Sequence, residues 1–158
     1  MTARYNRSLL LLFLVSLSFS FLACDNCSDT LDQPVTAPIR FKIVDLKGEN
    51  LVNRIRSHYS VDSIKLFDLG DKEWIFLNKE YLPDSSGYVF SGDCRKDGTG
   101  KSSLLLHFNS ADSDTLDVWY EQIDDKCFTI YEYTHFQHNG KDLQKAPLSS
   151  ILLITKAE

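Results

Sequence analysis

Three short stretches carry residue types able to do chemistry, and each stops short of a complete site. Gly98-Thr-Gly-Lys-Ser102 has the ending of a phosphate-binding loop, in which backbone N–H groups and a lysine cradle a phosphate. The leading glycine of that motif falls on Arg95, and the residues after Ser102 read as a strand rather than as the helix whose N-terminus meets the phosphate. A flexible loop is the expectation. Asp93, Asp97 and Gly98 begin like a calcium loop, yet the third position is Arg95 and the twelfth is Leu104, where oxygen ligands are needed. Asp112 and Asp114 offer a looser calcium site, although Asp-rich turns also arise on acidic surfaces without one. His135 and His138, with His107 as a third ligand, suggest a metal set. Residues three apart on a strand point to opposite faces, so surface histidines beside the Asn139-Gly140 turn are expected instead. Neither a metal nor a cofactor is expected.

No nucleophile elbow and no His-Glu-x-x-His helix is present, and 22 acidic residues always contain some acid/base pair. Whether the chain is an enzyme is therefore left uncertain, with a non-catalytic role favoured. The best positive feature is aromatic. Trp119 lies on the polar-patterned face of its strand, and Tyr131, Tyr133 and His135 fall on one face of the next. If the two strands pair, these rings form a flat platform bordered by Asp117 and Glu121, suited to a glycan or a protein partner. The competing reading places the same aromatics in the core, where strands favour them.

The elements that would position these residues are strands. Ile39, Phe41 and Ile43 alternate with Arg40 and Lys42, Ile64 and Leu66 with Lys65 and Phe67, and Leu116, Val118 and Tyr120 with Asp117, Trp119 and Glu121. Further strands are read at Trp74–Leu77, Tyr88–Phe90, Ser103–Phe108, Cys127–Phe136 and Leu148–Thr155, with Asn139-Gly140 as the strongest turn dipeptide. No segment carries a convincing helical period. About eight short, evenly spaced strands predict an all-β, antiparallel β-sandwich.

Before these strands, Arg4 and Arg7 precede an uncharged run, Leu9–Ala23, which matches a secretory signal and is short for a membrane-spanning helix. Residues 1–23 are read as the signal, 24–38 as a polar, proline-containing tether, and 39–158 as the domain. Loss of the signal takes Arg4 and Arg7, moving the net charge from −5 to −7, so nucleic acid is not an expected partner.

The junction Phe21-Leu22-Ala23-Cys24 resembles the lipobox of bacterial lipoproteins, which implies a diacylglyceryl group on Cys24 and cleavage before it. Two or three acyl chains anchor stably where one binds only marginally. An exported chain also favours disulfides. With Cys24 acylated, a bridge between Cys94 and Cys127 is expected, because both lie within the domain, which leaves Cys27 free or paired with another molecule.

Phe41-Lys-Ile-Val-Asp45-Leu-Lys-Gly48-Glu-Asn-Leu51 resembles the opening of transthyretin-like or carboxypeptidase-regulatory β-sandwiches. The whole layout, with Asp114–Leu116 and Asn139–Lys141, is similar to that of small bacterial outer-membrane lipoproteins. These resemblances imply an Ig-like or transthyretin-like fold and supply no catalytic residues. The expectation is an exported, lipid-anchored binding or assembly module of the outer membrane, on its periplasmic side or at the cell surface. Two alternatives remain: a small carbohydrate- or calcium-dependent hydrolase, and a structural subunit using strand addition at an apolar edge such as Leu148–Thr155.

Overall fold

A computed structural model describes residues 35–53, 58–85, 87–96, 98–125, 128–146 and 149–157. The expected signal, Cys24, Cys27, most of the tether, Asp97, Cys127 and Leu148 lie outside the described residues. Every described strand belongs to the compact unit Pro34–Glu158.

In chain order the strands are β1 (Val35–Thr36), β2 (Ile39–Val44), β3 (Lys65–Asp68), β4 (Glu73–Ile75), β5 (Asn78–Leu82), β6 (Gly87–Gly92), β7 (Lys101–Asn109), β8 (Asp112–Asp125), β9 (Phe128–His138), β10 (Lys141–Asp142) and β11 (Leu152–Thr155). They form two sheets. The first runs β1-β9-β8-β7-β3-β4 with β10 on β9, and the second runs β11-β2-β6-β5. Pairing is antiparallel except for β1 with β9 and β11 with β2. The expected β-sandwich is present, with strand structure beginning at Val35, four residues ahead of the expected Ile39.

The period-2 patterns account for how the sheets face each other. Ile39, Phe41 and Ile43 of β2, Phe90 of β6, and Leu152 and Ile154 of β11 point inward from the second sheet. Leu66 of β3, Leu104, Leu106 and Phe108 of β7, Leu116 and Val118 of β8, and Phe136 of β9 meet them from the first, in one buried cluster. Each fully buried side chain of this size contributes roughly 1.5–3 kcal/mol. Phe41 and Phe90 stack across the β2–β6 pair, 5.4 Å between ring centroids. Asn139 and Gly140 both take positive φ (49° and 74°) in the tight turn between β9 and β10, as the dipeptide predicts.

Two expectations bear on this part of the fold. The outer edge of β11 is not open, because Leu153 N–H donates to Gln144 O and Lys145 bridges Leu152. An added strand would have to displace this segment. Cys94 is buried with a free thiol, and the expected bridge to Cys127 is not seen among the described residues. Cys127 itself is outside the described residues.

Candidate functional site

The expected aromatic platform is divided between the two faces of the first sheet. Register explains it: Trp119 pairs with His135, but the next residue, Tyr120, pairs with Tyr133, leaving Thr134 as an extra residue in β9. Such a bulge inverts the alternation, so Tyr131 and Tyr133 face the core side while His135 faces outward beside Trp119. Trp119 and His135 lie 4.9 Å apart. The indole is not open, since Lys101 Nζ sits 4.6 Å over it and is held 3.2 Å from Asp117 Oδ2. On the inner side, Tyr131 meets the buried Tyr120 edge-on and Tyr133 packs against Phe136. Tyr133 Oη is 3.6 Å from Cys94 Sγ. Burial, then the neighbouring Cys94, pushes the Tyr133 hydroxyl up, and burial pushes the Cys94 thiol up as well. Both are packing groups, protonated at neutral pH.

The titratable groups singled out for metals are also committed elsewhere. His138 Nε2 lies 2.8 Å from Asp114 Oδ2, His135 Nε2 lies 3.1 Å from Asp142 Oδ1, and His107 Nδ1 lies 2.7 Å from Ser113 Oγ. Asp112 and Asp114 do converge, but on the ammonium of Lys156, at 2.8 and 2.9 Å. No group of three His, Cys, Asp or Glu side chains is placed to hold a metal among the described residues. Gly98 and Gly100 adopt positive φ in the loop before β7, and a strand follows them, as the sequence implies.

The exposed aromatic surface lies on β4 and the crossover that follows it. Glu73-Trp-Ile-Phe-Leu77 keeps period-2 alternation: Ile75 and Leu77 pack on the core, whereas Trp74 is 57% exposed and Phe76 86% exposed. Trp74 pairs with Phe67 across the β3–β4 hairpin. Its ring sits 5.0 Å from Phe67 and 5.1 Å from His107, which fix its orientation without covering it. Phe76 lies where the chain leaves the first sheet for the second. Gly92 makes that passage possible, because a Cβ there would come within 2.8 Å of Leu77 Cδ2 and 3.1 Å of Phe76 O.

Trp74 and Phe76 form a wall shared by two clefts. The larger, about 500 Å³, is bordered by Asp68, Asp71, Glu73, Asp93 and Arg95. The other, about 460 Å³, is bordered by Lys65 and by the Asp62–Lys79 ion pair, 3.0 Å apart. In the first, Arg95 Nη1 donates to Asp71 Oδ1 at 2.7 Å, which holds the guanidinium pKa above its ordinary value. Asp68 ends β3 and its Oδ1 accepts the Gly70 and Asp71 N–H groups, closing the hairpin turn. Its Oδ2 is buried with no hydrogen-bond partner among the described residues.

Sequence reasoning reads Trp74–Leu77 as a strand and does not single out its outward residues. The available signal is Trp and Phe at alternating positions in a short run next to a turn rich in Asp and Glu. No family model, curated protein or solved structure matches the chain.

Proposed function

We propose that the protein is an exported, lipid-anchored binding module of the outer membrane, and that its β-sandwich, of Ig-like or transthyretin-like type, presents the Trp74–Phe76 edge to a partner. The observation that carries this reading is the pair of large aromatic side chains, 57% and 86% exposed, standing next to each other between two clefts. Single exposed apolar residues are ordinary, whereas a contiguous aromatic strip rimmed by charge is the usual form of a contact surface. Covering the Phe76 ring would return roughly 1.5–3 kcal/mol, enough for it to act as an anchor residue.

The anchor rests on Arg4, Arg7, the Leu9–Ala23 run and Cys24. A non-catalytic role is supported by how the carboxylates and histidine first considered as metal ligands are engaged. His138 is paired with Asp114, and Lys156 joins Asp114 to Asp112.

Photo-crosslinking in native membranes tests the reading. A benzophenone amino acid at Phe76 is expected to give a discrete adduct on the membrane-bound protein, whose N-terminal peptide carries an acylated Cys24. The same probe at Leu46, 80% exposed in the turn after β2, is expected to give none. Equal labelling from both positions, or an unacylated chain, would overturn the reading.

A further inference from the structure

We propose that the Trp74–Phe76 edge docks on the bilayer itself, its two rings entering the interfacial layer of a zwitterionic lipid surface beside the point where the anchored chain joins the domain. The inference rests on the reading of a lipid-anchored chain with this edge as its recognition surface, and it names what covers the edge.

The first observation is where the chain enters. Ile39 opens β2 and pairs with Gly92, and Asn78 opens β5 and pairs with Ser91. The residues just ahead of β2 and of β5, Pro38 and Phe76 among them, therefore lie at the same end of the second sheet. They are two strands apart, which is about 10 Å. Pro38 and Phe76 both border the larger cleft. With Cys24 held in lipid, residues 24–38 span at most about 50 Å even when fully extended. The edge is thus kept at a high effective concentration against the membrane, and a contact too weak to recruit a free protein suffices.

The second observation is what the edge exposes. Three of the five large apolar side chains that are exposed among the described residues, Leu69, Trp74 and Phe76, fall in the β3–β4 hairpin and the crossover after it. An indole has an apolar body and one N–H donor, so it settles where acyl chains meet headgroups, and a phenyl ring beside it is buried deeper. Phe67 and His107 hold the Trp74 ring in place without covering it, which lowers the entropic cost of seating it.

The third observation is charge. Beyond the Asp62–Lys79 and Asp71–Arg95 pairs, the two clefts present Lys65 on one flank of the rings and Glu73 and Asp93 on the other. A rim of both signs complements headgroups that carry a phosphate and an amine together. The chain as a whole has a net charge of −5, so an anionic lipid surface repels it. Aromatic insertion, rather than attraction to anionic lipid, is what holds the contact.

The test uses the acylated full chain in vesicles of phosphatidylethanolamine and phosphatidylcholine, with and without bromine on the acyl chains near the headgroup. A Trp119→Phe variant leaves Trp74 as the single tryptophan, and Trp74→Phe leaves Trp119. Bromine quenches an indole only at short range. Trp74 fluorescence is expected to fall several-fold in the brominated vesicles, and Trp119 fluorescence to stay unchanged. Adding phosphatidylglycerol at low salt is expected to weaken the quenching of Trp74, and raising the salt to restore it. In native membranes, with both tryptophans in place, the benzophenone at Phe76 is expected to take on the mass of a phospholipid. Trp74 quenched no more than Trp119, or quenched most strongly in phosphatidylglycerol, overturns the proposal. If Trp74 is unquenched and the Phe76 adduct is a protein, a second copy or another chain, the recognition surface stands and only its occupant is wrong. If Trp74 is unquenched and no adduct forms, both readings fall.

Discussion

Lys156 Nζ lies 2.9 Å from Asp114 Oδ2, and that contact joins the two sheets. Lys156 follows β11 in the second sheet, whereas Asp114 belongs to β8 in the first. Around them, Lys156 also reaches Asp112 Oδ1, His138 reaches Asp114 and the Tyr59 hydroxyl donates to Asp112 Oδ2. Replacing Lys156 with Met would leave both carboxylates without their cation in a poorly solvated corner. A loss of about 2–3 kcal/mol is expected. It should appear in a thermal melt as a shift on the order of 10 °C. A melt within a degree of wild type would remove the cross-sheet role assigned to Lys156.

The same cluster sets a pH dependence. Burial raises the Asp114 pKa, but hydrogen bonds from Asn139, Lys156 and His138 outweigh it, and the net pKa is lowered. A depressed carboxylate stabilises the fold above its unfolded pKa, and that stability is lost as pH falls through the folded one. Burial lowers the Lys156 pKa, and the bonds to Asp112 and Asp114 more than reverse this, so its pKa is raised. Its contribution is complete below the unfolded lysine pKa and is lost as pH rises through the folded one. Urea midpoints are expected to change little near neutrality and to fall below about pH 4 and above about pH 10. Asp114→Asn should flatten part of the acid limb relative to wild type, and an unchanged acid limb would contradict the assignment.

The two tryptophans should separate stability from recognition. Trp119 is held between Lys101 and His135, so Trp119→Ala is expected to cost about 1–2 kcal/mol in chemical denaturation and to leave the Phe76 crosslink intact. Trp74 is mostly exposed, so Trp74→Ala should cost less than about 1 kcal/mol and abolish that crosslink. The opposite pattern would return the site to the Trp119 face.

Alternation carries most of the fold. Phe41, Leu66, Leu116 and Val118 are buried as their patterns require, and the Asn139-Gly140 turn is where the dipeptide places it. The aromatic platform is misplaced by period-2 reasoning because that reasoning assumes an unbroken register. Thr134 breaks it, and nothing in Tyr133-Thr-His135 marks a bulge, since the cause lies in the pairing with β8. The strand Asn78–Leu82 is not legible because its polar alternation resembles a loop and its place is fixed by β6. Trp74 is legible as a strand residue, whereas Phe76, expected in the same strand, lies just beyond the end of β4. Their exposure is not legible, because it follows from β4 being the last strand of its sheet.

Cys94 gives a direct check on the cysteine assignment. Its thiol is buried, and burial raises its pKa, so little thiolate forms at neutral pH. Peptide mapping after alkylation is expected to recover Cys94 as a thiol that reacts only once denaturant is added. A Cys94–Cys127 bridged peptide from the native protein would reinstate the disulfide.

A recognition role for this edge requires that Trp74 and Phe76 be covered in the cell. Hydroxyl-radical footprinting, comparing the protein in its native membrane with the purified protein, measures that cover residue by residue. Trp74 and Phe76 are expected to oxidise several-fold less in the membrane, with Leu46 unchanged. Equal oxidation of all three in both settings would contradict the assignment of this edge as the recognition surface.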